Sequence, residues 1–252
     1  MNRVVLAVND HPDFKFLVPI TARVWAARTG YRPTILTTSH IEELSPTKHD
    51  GIWDVHEVDC RRDRLYIKLC RWYSWMVCHK EDVLLLTDID HWPIDGAFWN
   101  QDTGRPVTMF YGDAFQGRMH TTLGFRAKAF ALQEITEGGD PDSRIAQIRQ
   151  RPDDWDGRHS DDCAQSELVM KWAGYPSLCH MIERGPSPPK TRIDRSAWPE
   201  KFDLTGKVDA HLPRDASDGR VWRKILPLFD LLCPDQSAWV REYRKRWEEE
   251  WL

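Results

Sequence analysis

Residues 83–93, VLLLTDIDHWP, constrain the fold of this chain more than any other stretch. An unbroken apolar run suits a strand covered on both faces, as in a mostly parallel sheet flanked by helices; a half-exposed strand would alternate apolar and polar residues. The run ends in Asp88 and Asp90, with Ile89 between them. In extended chain, residues two apart point to the same side, so the two carboxylates are expected to converge at the carboxyl end of a central strand. That edge is where open α/β sheets bind ligands.

The rest of the chain supplies the alternation that such a sheet needs. RVVLAVN (3–9) and PTILTT (33–38) read as strands, with a helix over 16–28 between them that Gly30 is suited to close. Residues 64–78 carry Leu65, Leu69, Trp72 and Met76 at helical spacing just before the central strand. RPVTMFY (105–111) and HTTLGFRA (120–127) read as further strands, 127–136 and 162–173 as helices, and 137–160 as a long polar loop. After an irregular, proline-rich stretch over 185–199 come a short strand in KVDAHLPR (207–214), a helix over 221–232 and a last helix from 237. The expected class is α/β, with a mostly parallel central sheet flanked by helices and a C-terminal helical extension over 237–252. The length of 252 residues suits one domain over 1–252.

Composition narrows the partners. A net charge of −4 argues against a surface given over wholly to nucleic acid, although local basic runs remain, RIAQIRQR (144–151) and REYRKRW (241–247). The six cysteines contain no C-x-x-C pair, so neither a zinc ribbon nor a disulfide framework is indicated. VVLAV, at five residues, is too short for a signal-peptide core or a membrane span. The expectation is a cytoplasmic protein with no transmembrane segment.

Paired carboxylates at a strand end suit Mg²⁺ or Mn²⁺, hard cations that also grip a diphosphate and offset the charge growing on it as it leaves. The spacing alone is weak evidence, since Asp140/Asp142 and Asp154/Asp156 repeat it in polar loop sequence; only Asp88 and Asp90 follow an apolar strand. A rival reading, a phosphatase of the haloacid-dehalogenase type, makes the first aspartate a nucleophile in D-x-D-x-[TV]. Trp92 stands where that motif needs Thr or Val, and the motif belongs on a chain's first strand.

The layout resembles the GT-A glycosyltransferases, the nucleotide-diphospho-sugar transferase fold, over most of the chain. The features that carry the resemblance are a first strand with a polar end, a basic helix before the D-x-D strand, and a late histidine in DAHLPR (209–214). It is looser for the pattern H-x-x-G-x-x-K-P-W found near glycogenin and bacterial galactosyltransferases: Arg214 occupies the glycine position, and Gly219, Trp222 and Lys224 come later.

By this resemblance His211 completes a metal site with Asp88 and Asp90, and Arg214 faces phosphate. Val8, Asn9 and Asp10 lie near the base and ribose, or form an ordinary turn. Arg64 and Lys68 reach the donor phosphates, or lie on a solvated basic face. Ile89 and Trp92 flank the donor. Asp161, Asp162 and Gln165, in HSDDCAQSEL (159–168), lie across from the donor sugar as the catalytic group, although one of the two aspartates also suits a helix cap. His120, Thr121, Tyr111 and Asp113 are weaker candidates to line the site.

The implied donor is a nucleotide-sugar, UDP being the family's commonest carrier, and the acceptor is a glycan or other hydroxyl. A modified nucleobase in DNA stays open through the basic runs. Thirteen tryptophans leave a second class open, a non-catalytic Trp-rich carbohydrate-binding protein with an incidental acidic turn. Trp239, Tyr243, Trp247 and Trp251 recur every four residues, a stripe expected to pack on the domain.

Overall fold

The computed structural model describes residues 1–38, 40–45, 52–58, 70–111, 125–136, 139–140, 143, 146, 179–183 and 191–251. Among these, strands β1 (Asn2–Val8), β2 (Arg32–Thr37), β3 (Asp54–Glu57), β4 (Val83–Leu86), β6 (Val107–Tyr111), β7 (Phe125–Lys128) and β8 (Cys179–Glu183) form one sheet. Their order is β3-β2-β1-β4-β7-β6-β8. Only β7 runs against its neighbours β4 and β6; the other pairings are parallel. A small second sheet joins β5 (His91–Pro93), β10 (Asp209–His211) and β9 (Arg192–Ile193), in the order β5-β10-β9.

The apolar runs produce this sheet because both of its faces are buried. On β1, Val4, Leu6 and Val8 face one core cluster and Val5 and Ala7 the other; on β4, Leu85 is divided from Leu84 and Leu86 in the same way. The first cluster is closed by helices α1 (Pro12–Thr29), α4 (Gly219–Leu232) and α5 (Ser237–Trp251). The second is closed by Trp72 and Tyr73 and by α3 (Ala129–Ile135), while a short α2 (Gly96–Trp99) follows β5.

Helix α1 starts behind His11, whose ring accepts from the Asp13 N–H, with Pro12 in the first turn. It stops at Gly30, left-handed at φ 72°, whose N–H reaches the Ala26 carbonyl at 2.9 Å. The helix therefore runs four residues further at its start than the apolar spacing indicated. The stretch 71–77 is a 3₁₀ helix rather than a continuation of an α-helix. Ala127 and Lys128 belong to β7 rather than to the helix that follows.

Trp239, Tyr243 and Trp247 of the C-terminal stripe pack inward. Tyr243 stacks on Phe16 and on Trp239, Trp247 leans on Phe16, and the Tyr243 hydroxyl donates to the Phe16 carbonyl at 3.1 Å. No helix among the described residues is long and apolar enough to cross a membrane.

Candidate functional site

The central strand stops at Leu86, so Asp88 and Asp90 stand not in extended chain but in the turn that joins β4 to β5. Strand alternation therefore does not aim them, which corrects the expectation from period two. Helix α1 and strand β10 hold the turn instead. Thr21 donates its hydroxyl to the Ile89 carbonyl at 2.7 Å, Trp25 donates its indole N–H to the His91 carbonyl at 2.9 Å, and the Leu212 N–H meets the Asp90 carbonyl at 2.8 Å. Every bond here closes a backbone group that a buried turn would otherwise leave unpaired.

Antiparallel pairing sets His211 opposite His91. That register brings the His211 imidazole, from far down the chain, to Asp90, with Nε2 at 3.3 Å from Oδ2. The other ring nitrogen, Nδ1, lies 3.5 Å from Oδ2 of Asp194. Burial works to raise the Asp194 carboxyl, but the Oγ and N–H donors of Ser196 and the charges of His211 and Arg192 outweigh it and hold the group below the usual carboxylate range. Asp194 therefore stays ionised behind the imidazole. Arg195, on the 3₁₀ turn (Arg195–Ala197) after β9, extends to 3.5 Å from Asp90.

This donor set fits one divalent ion in part. Two ligands at about 2.1 Å from a cation and at right angles stand roughly 3 Å apart, close to the Asp90–His211 separation. A carboxylate behind a ligating imidazole is the usual means of fixing its tautomer and raising its basicity. Asp88 is engaged elsewhere: its Oδ1 lies 2.6 Å from Nη1 of the buried Arg71. Among the described residues no group of three His, Cys, Asp or Glu converges as a metal site.

Several expected site residues fall in other places. Trp92, expected beside the donor, is fully buried: its ring packs against Phe229 and its N–H donates to Thr21 at 2.9 Å, leaving no face open for stacking. The side chain of Ile89 is likewise in the core and its carbonyl is taken by Thr21. Both corrections have one cause, since the bonds of Thr21 to the Ile89 carbonyl and the Trp92 indole tie this segment inward against α1.

At the end of β1, Val8 is buried, Asn9 accepts from the His11 N–H at 3.0 Å, and Asp10 lies 3.4 Å from Lys15. Arg214 is exposed three residues beyond His211. Arg64, Lys68, Asp113, His120, Thr121, Asp161, Asp162 and Gln165 lie outside the described residues, as does the Tyr111 side chain. Sequence reasoning missed Arg71, Asp194, Arg195 and the turn-bracing Thr21 and Trp25. Arg71 alone had a signal, as a third basic residue with Arg64 and Lys68 in the segment before the D-x-D strand.

The basic C-terminal run is occupied internally. Arg241 pairs with Asp230, Arg244 with Glu248, and Arg246 with Glu43. A cleft of about 450 Å³ between α4 and α5 is lined by Arg220, Arg223, Arg241 and Arg244, with Asp218 and Glu248 among them, and does not touch the D-x-D turn.

No protein-family model and no curated protein matches the sequence. The fold does match solved structures. The galactosyltransferase LgtC, in complex with donor and acceptor sugar analogs, superposes with a TM-score of 0.51 at 12% identity, over 93% of this chain and 96% of that one. The glycosyltransferase GlyE of Streptococcus pneumoniae TIGR4 gives 0.56 at 9%, over 94% of this chain and 64% of that one. A glycosyltransferase involved in the glycosylation of the major capsid of PBCV-1 gives 0.50 at 11%, over 91% and 98%. At these identities the likeness establishes the fold alone, a GT-A-like α/β fold shared with these glycosyltransferase structures.

Proposed function

We propose that this chain is a metal-dependent GT-A glycosyltransferase, moving a sugar from a nucleoside diphosphate, with UDP as the first candidate, to a hydroxyl acceptor. The observation that carries the reading is the meeting of Asp90 and His211, residues from distant parts of the chain, at the carboxyl edge of this sheet. In this reading the pair holds Mn²⁺ or Mg²⁺, and Asp88, ion-paired with Arg71, is assigned as the third ligand. The ion supplies positive charge against that growing on the departing diphosphate.

The protein's own groups do the rest. Arg195, one-third exposed beside Asp90, and Arg214, at the same end of β10, offer guanidinium forks suited to phosphate oxygens. The loop after β1, with Val8, Asn9 and Asp10, lies at the same carboxyl edge and is assigned to the base and ribose. Arg64 and Lys68 are assigned to the phosphates. Asp161, Asp162 and Gln165 are assigned to the acceptor side, where a carboxylate takes the acceptor proton or orients the hydroxyl.

The rival readings draw less support. The D-x-D follows β4 rather than the first strand, where a phosphatase of the haloacid-dehalogenase type carries it. Trp25, Trp72, Trp92, Trp99 and Trp222 are buried and cannot serve as sugar platforms.

A thermal-shift screen of nucleoside diphosphates, with and without Mn²⁺, tests the proposal. The expected result is stabilisation by one nucleotide that depends on Mn²⁺, about 2.7 kcal/mol at a hundredfold excess over Kd. A shift with sugars alone, and none with any nucleotide, would transfer the protein to the carbohydrate-binding class.

A further inference from the structure

Directly beneath the Asp90–His211 pair lies a second polar group that sugar transfer does not call on. His91 and Asp209 are 1% and 0% exposed, and Arg192 is 7% exposed. Arg192 grips Asp209 with two bonds, Nε to Oδ1 at 3.1 Å and Nη2 to Oδ2 at 2.9 Å. His91 Nε2 lies 2.6 Å from the same Oδ2 and 3.0 Å from Nη2 of Arg192, while its Nδ1 meets the Thr87 hydroxyl at 2.9 Å.

Stability is a poor reason for such a group. A buried ion pair often does no better than apolar side chains of similar volume, because the desolvation of both charges offsets their attraction. What directional bonds supply is register. Strands β5, β10 and β9 are three, three and two residues long, so their ladders hold few backbone bonds. A slip of one residue would turn His211 to the opposite face.

The two ionic groups repeat one another along these strands. Arg192 and Asp194 are two apart on and just past β9, and Asp209 and His211 are two apart on β10. On the third strand, His91 is the residue next to Asp90. His91, opposite His211 in the ladder, reaches diagonally to Asp209, so the buried rung of side chains Arg192–Asp209–His91 crosses the register and adjoins the more exposed group Asp194–His211–Asp90.

We propose that Arg192, Asp209 and His91 are positioning residues: their buried rung locks the three short strands in the register that sets His211 Nε2 against Asp90 at a separation one divalent ion bridges. The inference rests on the cation reading of Asp90 and His211.

The test replaces the rung with apolar side chains, His91→Leu, Asp209→Leu and Arg192→Met together, and reads two quantities. One is Tm. The other is Mn²⁺ affinity, from the loss of the free-ion electron paramagnetic resonance signal, with Asp90→Asn as the reference for a lost site. The expected result is a folded triple variant with Tm close to wild type and Mn²⁺ affinity reduced about 10- to 100-fold, the range for groups that orient ligands. If the triple variant fails to fold, Arg192→Lys decides: it keeps the charge but lacks the fork, and is expected to fold and to bind Mn²⁺ more weakly. A folded variant of either kind that binds Mn²⁺ as tightly as wild type overturns the positioning role and leaves the cation reading standing. Wild-type protein with no Mn²⁺ binding that Asp90→Asn removes overturns both.

Discussion

The two ends of the parallel sheet are both ionic, and they are built to opposite ends. At the amino edge, Arg3 at the start of β1 reaches Asp82 at 2.6 Å and also Asp54, and Arg32 grips Asp54 with two bonds at 2.7 and 2.8 Å. Positive and negative side chains match in number, and each carboxylate holds its partners along the ladder. At the carboxyl edge Asp88, Asp90 and Asp194 gather with Arg71, Arg195 and His211, and the closest approach to Asp90 is an imidazole and a guanidinium at 3.3 and 3.5 Å rather than a tight fork. Saturated pairing ties strands together, whereas loosely paired oxygen and nitrogen donors at a ligand-binding edge leave coordination to be completed.

The widest separation between the two ends is expected from one pair of isosteric changes. Asp90→Asn should lower kcat/KM for donor turnover by about 10²–10³-fold, as loss of one electrostatic group at a reacting centre does, with little change in Tm. Asp82→Asn should leave turnover intact and cost about 1.5–3 kcal/mol of stability, because the buried Asp82 position loses its charge-assisted bonds to Arg3 and to the amino terminus. Urea denaturation beside a steady-state assay reads both, and a stability loss at Asp90 matching that at Asp82 would erase the distinction.

A smaller effect follows from pH. Arg32 first, and Arg3 after it, hold the Asp54 carboxyl down to about 2 against the opposing influence of burial. The folded state thus takes up this proton at lower pH than the unfolded chain. The contribution is complete above about pH 4 and is lost as pH falls through 2, amounting to about 1–2 kcal/mol after solvent screening. Denaturation at pH 5 and pH 2.5 should show a shallower loss for Asp54→Asn than for wild type, with Mn²⁺ affinity at neutral pH unchanged.

An effect of the same order sharpens the comparison from inside the site. Trp92→Phe keeps a six-membered ring but removes the bond to Thr21 and part of the buried indole, so it should cost about 1–2 kcal/mol of stability and leave donor KM alone. A raised donor KM at full stability would return Trp92 to the donor.

The fold was legible in the sequence because burial on both faces of a sheet leaves a one-dimensional trace, the unbroken run of β4 and those of β1 and β2. The D-x-D and the late histidine were legible as residue types at the right places in such a layout. Their surroundings were not. Arg71, Asp194 and Arg195 reach the site through a 3₁₀ segment and through β9, elements too short to leave a periodic signal. Trp92 was misplaced because sequence distance from Asp90 says nothing about which way a turn residue faces, and contact with α1 decides it. The third metal ligand, read from spacing, depends on whether Asp88 keeps Arg71, an interaction between residues 17 apart that no local pattern reports.

The central claim is that Asp90 and His211 act as one cation-holding unit. It is tested most directly by a double-mutant cycle, Asp90→Asn and His211→Ala singly and together, read as the Mn²⁺-dependent affinity for UDP. Two ligands of one ion should be strongly non-additive, with a coupling of about 0.5–3 kcal/mol and a double variant hardly worse than either single one. Additive losses, or an affinity for UDP indifferent to Mn²⁺ in the wild-type protein, would contradict it.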